Sequence, residues 1–280
     1  MCILKCAENF TSEVLEKMES SVCINDISRN GIATVELNRP DLNNAYDEHF
    51  LKEFVDCLMK LKMDSSVRVL LLKGRGKNFQ AGADLAWLSR LNREDMAANH
   101  AASSLTAETF WALDSFPKPT IAVVQGICMG GGTGIVSSCD IVLAERSSIF
   151  AISEVLWGLV ANIIFPQLVS RIGVSNLRRY ALTGEQFDAA EAHRIGLVTE
   201  TCEDGQLAAL TEYFVSKLLR SAPNAIEISK VGLRRLSKTC VDDSEFEQLI
   251  AEHAAKRIDD EATEGINSFF SKKKPEWFLE

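Results

Sequence analysis

The chain has 280 residues, 46% of them hydrophobic and 25% charged, a composition that supports a large buried core and argues against a disordered chain. Thirty basic against thirty-nine acidic side chains give a formal charge of -9, which repels phosphate backbones and disfavours a nucleic-acid partner.

Residues 1–20 show no clear pattern and are read as a short N-terminal extension. Val22–Ile27 and Ile32–Leu37 alternate in hydrophobicity around Asn30-Gly31, the dipeptide best suited to a tight turn, and so predict a β-hairpin. From Asp47, apolar residues at 50, 54, 58 and 61 recur at helical spacing, and the apolar run 67–72 ending at Gly74 predicts a buried strand. The pattern repeats with a helix-rich stretch through Trp111, a strand at 120–125, a glycine cluster opening a helix, and a strand at 140–143. After about residue 165 strands largely stop, and helices are expected at 175–184, 188–196 and beyond Pro223. The simplest partition is an extension over 1–20, a core over 21–200 and a helical subdomain over 201–280.

The eight cysteines form no Cys-x-x-Cys pair or metal-ligand cluster, so no metal site is expected and the thiols read as reduced. No stretch approaches the ~20 apolar residues needed to span a bilayer, nor does the N-terminus read as a secretion signal. The expectation is a cytoplasmic protein with no membrane partner. The histidines at 49, 100, 193 and 253 fall in no motif and are assigned no catalytic role.

Two small-residue segments carry the chemistry. Gln80-Ala81-Gly82-Ala83-Asp84-Leu85 follows the strand 67–72, and such a turn leaves backbone N–H groups open to an incoming oxygen, with Ala83 the preferred donor. Gly130-Gly131-Gly132 follows the strand 120–125 and opens a helix, so a ligand can approach the backbone where the helix dipole favours negative charge. The spacing fits neither a Walker loop nor a dinucleotide fingerprint. Two such donors aimed at one oxygen make an oxyanion hole suited to a thioester enolate.

With these segments, Asn38-Arg-Pro40, Asn44-Ala45, Lys118-Pro-Thr-Ile-Ala122, Gln125-Gly126, Cys139-Asp140, Ser153-Glu154, Gly158 and Leu182-Thr-Gly184 follow in an order that resembles the crotonase (enoyl-CoA hydratase/isomerase) superfamily. The resemblance implies an α/β fold, a ClpP-like spiral of repeated β-β-α units with a helical C-terminal trimerisation subdomain, assembled as a homotrimer or dimer of trimers. It assigns the oxyanion hole to the amides of Ala83 and Gly131 and places Asn44, Ala45, Gln80, Ala81 and Gly82 along the coenzyme A. Phe269 and Lys272 match positions that touch coenzyme A. No separate cofactor is expected, because coenzyme A, or an acyl carrier protein, enters as part of the thioester substrate.

Hydratases of this fold typically place two glutamates around one water. Glu154 matches the second; at the first stands Gly134. The lone glutamate leaves open a hydratase or dehydratase, a Δ3-Δ2-enoyl isomerase, and an inactive acyl-CoA-binding homologue. The run from Gly130 to Asp140, with Ser153 to Leu159, looks like bacterial 3-methylglutaconyl-CoA hydratases and the dehydratases of polyketide β-branching, which favours the first reading. Trp157 is expected to wall the acyl pocket and Asn162 to project an amide near the acyl group. An amide is a poor nucleophile, which discounts the dehalogenase chemistry some members perform with an aspartate near this position. Asp140 is expected to be structural, bonding nearby turn amides.

Overall fold

The computed structural model describes residues 20–236 and 243–278; the expected extension lies outside the described residues except for Ser20. Hairpin strands β1 (Val22–Ile27) and β2 (Ile32–Leu37) pair antiparallel, with Gly31 at φ 80° in the turn. Helix α1 (Glu48–Met63) follows, capped by Asp47, whose carboxylate accepts from the Phe50 N–H at 3.0 Å. Its face of Phe50, Phe54, Leu58 and Leu61 is buried, as the spacing predicts.

Strands β3 (Val69–Gly74), β4 (Thr120–Val124), β6 (Ile141–Glu145) and β9 (Glu200–Cys202) extend the hairpin in parallel, in the order β1-β2-β3-β4-β6-β9. The central strands read as unbroken apolar runs because both faces are covered. Leu70, Leu72, Ala122, Val124, Val142 and Ala144 face the main core, while Val69, Leu71, Ile121, Val123 and Leu143 pack with Val215 of helix α7 (Leu207–Leu219).

A short strand follows each of the strands β4 and β6: β5 (Ile127–Met129) and β7 (Ile149–Ala151) pair in parallel and, with β8 (Phe187–Asp188), make a second sheet. Isolated bridges Gln80↔Cys128 and Tyr46↔Ala83 continue this layer. Helices α2 (Leu85–Leu91), α3 (Met96–Asp114) and α4 (Gly131–Ser137) complete the repeated β-β-α turns.

Two expectations are refined. Strands largely stop after residue 165 as expected, but the short β8 and β9 lie beyond it, with β9 joining the main sheet across the expected boundary at 200. Such two- and three-residue edge strands present no apolar run to read. The helix expected from 175 is part of α5 (Phe165–Thr183), broken at Gly173, where φ is 70°. Helices α6 (Ala189–Arg194) and α8 (Pro223–Leu236) follow the expected pattern. Helix α9 (Asp243–Arg257) returns to pack on α3, and α10 (Asp260–Ser271) packs on the turn Glu154–Trp157. No helix among the described residues is long and apolar enough to cross a membrane.

Candidate active site

The second sheet holds two amide donors side by side. Tyr46 N–H donates to Gly82 O at 3.0 Å and Asp84 N–H to Tyr46 O at 2.7 Å; Met129 N–H donates to Gln80 O at 2.9 Å and Gly130 N–H to Ala151 O at 2.8 Å. The intervening N–H groups of Ala83 and Gly131 donate to nothing among the described residues. A Cβ on Gly82 would stand 3.7 Å from the Gly131 nitrogen, so the two segments are in contact. Gly131 must lack a side chain, because a Cβ there would meet the Tyr46 ring and hydroxyl at 2.5–2.9 Å. Gly130, at φ 52° and ψ -126°, makes the corner that starts α4.

Glu154 sits opposite, on the turn that ends β7. Its Oε1 lies 3.0 Å from where a Gly130 side chain would begin, and its Oε2 is buried without a hydrogen-bond partner. Burial pushes its carboxyl up to about 7, partly offset by backbone N–H groups of Glu154 and Ser153. A cavity of about 610 Å³ is lined by Ala83, Gly130, next to Gly131, and Glu154, and also by the exposed Leu42, Phe269 and Phe270. Two open amides and a carboxyl that exchanges its proton near neutrality can hold an oxyanion while moving a proton on the neighbouring carbon.

The Enoyl-CoA hydratase/isomerase family matches residues 28–279. The chain belongs to this family. It is 32% identical over 213 residues to the short-chain-enoyl-CoA hydratase of Clostridium acetobutylicum, covering 75% of this chain and 80% of that protein. To the 2,3-dehydroadipyl-CoA hydratase of Escherichia coli it is 29% identical, covering 88% and 94%. The crystal structure of an enoyl-CoA hydratase from Shewanella pealeana superimposes with a TM-score of 0.74 at 33% identity, covering 95% of this chain and 100% of that one. The crotonase fold expected from the motifs is thereby shown, and the chain is an enzyme of that superfamily.

Within this crotonase-fold site, Ala45, Ala81, Gly82, Ala83, Asp84, Leu85, Gly130, Glu154, Trp157 and Phe269 line the cavity. Asp84 is held by an Arg39 ion pair at 3.0 Å and caps α2 through the Ala86 N–H at 2.8 Å. Trp157 and Phe269 meet edge to face at 5.1 Å.

Other expected contacts are corrected. Asn44 and Gln80 are fully buried and do not line the cavity. The Asn44 amide donates to the carbonyls of Arg75, Asn78 and Phe79, and Gln80 bonds both the N–H and the carbonyl of Gly82. Both side chains shape the loops rather than reach a ligand. Gly134 is sealed off, since a Cβ there would meet Ile164 at 2.5 Å. Asn162 turns to Glu252, donating at 2.9 Å, and lies outside the cavity wall. Lys272 ends α10 in the left-handed conformation, next to the cavity residues Phe269 and Phe270; the resemblance allows its contact with coenzyme A to be made in a neighbouring subunit.

Sequence reasoning missed Tyr46, Trp87, His253 and Arg257, which line the inner cavity. None belongs to a motif quoted above, and His253 and Arg257 arrive on a helix that returns from the far end of the chain. Their signal was confined to a histidine and an arginine four apart, which share one helix face.

Proposed function

We propose that the protein is a hydro-lyase of 2-enoyl and 3-hydroxyacyl thioesters, carrying out 3-methylglutaconyl-CoA-type hydration or the reverse dehydration of a 3-hydroxy-3-methylglutaryl thioester. The observation that carries the reading is Glu154: a buried carboxyl with one unpartnered oxygen beside the open amides of Ala83 and Gly131. The other acidic residues on the cavity wall are Asp41 and Asp84, and Asp84 is paired with Arg39.

A single carboxylate closes the cycle. The amides of Ala83 and Gly131 take the thioester oxygen as negative charge develops. The Glu154 carboxylate removes a proton from water as the oxygen bonds to C3, then returns that proton to C2 of the enolate. Water is thus added across C2 and C3, and Glu154 ends as it began. In dehydration it removes the C2 proton and hands it to the departing 3-hydroxyl. Proton affinity near 7 suits both halves at neutral pH.

The same lone carboxylate favours one second reading, transfer of a proton between C4 and C2 in a Δ3-Δ2 isomerisation. The test is enoyl-thioester absorbance with 3-methylglutaconyl-CoA, crotonyl-CoA and a 3-enoyl-CoA offered separately. Loss of the band with the glutaconyl substrate is expected; its appearance from the 3-enoyl substrate alone would replace hydration with isomerisation.

With this reading goes coenzyme A, or a carrier protein's pantetheine, lying along Ala45 and Ala81 to Gly82 toward Phe269, with no further cofactor. It also carries a cytoplasmic location and a homotrimer or dimer of trimers. Exposed Ile228, Val231, Leu233 and Leu236 on α8 supply apolar surface for such an assembly.

A further inference from the structure

A buried cation on the wall of the active-site cavity has no counter-ion among the described residues. Arg257 is 2% exposed, yet makes no ion pair with a carboxylate among the described residues. Its Nη1 reaches the carbonyl and side-chain oxygens of Asn99 only at 3.4 Å each, and its Nη2 donates to His253 Nδ1 at 3.1 Å. Five N–H donors are therefore met by two long bonds and one ordinary one. An uncompensated charge in such a place is expensive unless something supplies its partner.

The surroundings are donors too. Because Arg257 donates to Nδ1 of His253, that nitrogen accepts and the ring's proton sits on Nε2, which is bonded to no protein group among the described residues. Burial and the Arg257 charge hold this imidazole well below its usual range, so it stays neutral. The Tyr46 hydroxyl likewise has no hydrogen-bond partner among the described residues. Burial, together with the charge of Glu154, raises its pKa, which keeps it a protonated donor.

These groups also have an order along the cavity. Tyr46 stands against Gly131; its ring meets Trp87 edge-on at 6.1 Å; and the Arg257 guanidinium lies 5.8 Å from the Trp87 ring. Tyr46, Trp87 and Arg257 thus lead from the Gly131 segment to the guanidinium along one cavity wall. All three are buried, whereas Leu42 and Phe270 are exposed at the rim where the carrier would enter, so carrier phosphates do not account for the charge.

We propose that Arg257, with the His253 Nε2–H, receives a carboxylate at the far end of the acyl chain, making this enzyme specific for thioesters of dicarboxylic acids. This deepens the hydro-lyase reading and rests on it for the placement of the thioester.

The test uses binding of saturated thioesters, which does not depend on the reaction catalysed. Isothermal titration of the full-length protein with glutaryl-CoA against valeryl-CoA, and adipyl-CoA against hexanoyl-CoA, compares chains that differ by a terminal carboxylate. At least one acid is expected to bind about 30-fold more tightly than its neutral counterpart, the range of a charge-assisted buried bond. In R257M that ratio is expected to fall below about threefold. Equal wild-type affinities in both pairs overturn the proposal without recourse to a variant, and a ratio that survives in R257M overturns the assignment to Arg257. A retained ratio in a protein that hydrates no enoyl thioester would sink the hydro-lyase reading and uphold the receptor; hydration of crotonyl-CoA with no ratio would do the reverse.

Discussion

Glu154 couples the chemistry to the stability of the fold. Burial raises its pKa from the ordinary 4.5 to about 7, so the folded state holds the proton more tightly than the unfolded chain. The associated stabilisation is present below pH 4.5 and is lost as pH rises to 7; above that, keeping the carboxylate ionised costs about 3 kcal/mol. Glu154→Gln is therefore expected to lower turnover more than about 100-fold with thioester affinity little changed. It should also raise the unfolding free energy at pH 8.5 and leave it near wild type at pH 4. Urea unfolding at the two pH values checks the sign, and equal effects at both would show that Glu154 does not titrate in the buried state. The place of this glutamate on the cavity wall was legible because it stands in a chain of motifs. Tyr46, His253 and Arg257 were not, because what distinguishes them is a shared cavity, and no spacing along the chain reports that.

At the scale of elements, the site depends on how closely α10 approaches the turn that carries Glu154. Two glycines allow it: a Cβ on Gly158 would meet the Glu261 carbonyl oxygen at 2.4 Å, and one on Gly265 would meet the Trp157 carbonyl oxygen at 2.2 Å. The obstacle in each case is backbone, which yields little. Gly265→Ala is expected to cost about 1–3 kcal/mol and to reduce kcat/KM by displacing the turn. Gly232 on α8 has open space around its Cβ position, so Gly232→Ala should instead stabilise its helix by up to about 1 kcal/mol. Denaturant midpoints and kcat/KM for the pair decide the matter, and a Gly265→Ala enzyme as active and stable as wild type would refute the close docking. The hairpin, α1 and the central strands were readable from period and turn chemistry. The docking of α9 and α10 was not, since an amphipathic pattern shows that a face is buried without showing against what.

Across the whole molecule, a polar junction joins helix α8 of the helical third to the start of two central strands. Asp140 Oδ2 accepts from Thr120 N–H at 2.8 Å and Oγ1 at 2.9 Å, and from Lys230 Nζ of α8 at 2.6 Å; Lys230 also donates to the Lys118 carbonyl at 3.1 Å. Asp140 is structural as expected, but its partners are Thr120, 20 residues away, and Lys230, 90 residues away, rather than nearby turn amides. The two members are unequally buried: the Lys230 side chain is 8% exposed and that of Asp140 33%. Removing the acid strands a buried ammonium, whereas removing the base leaves a carboxylate that still accepts from Thr120 and reaches solvent. Asp140→Ala should therefore cost about 2 kcal/mol, below the full figure for a buried pair because the acid is partly solvated. Lys230→Met, which keeps apolar packing, should cost clearly less. Urea unfolding of the two variants measures the difference, with kcat/KM expected to stay near wild type in both, since neither residue lines the Glu154 cavity. If Lys230→Met proved the more damaging, the junction would be held by Lys230 packing and its bond to Lys118, and the ion pair would not be what joins α8 to these strands.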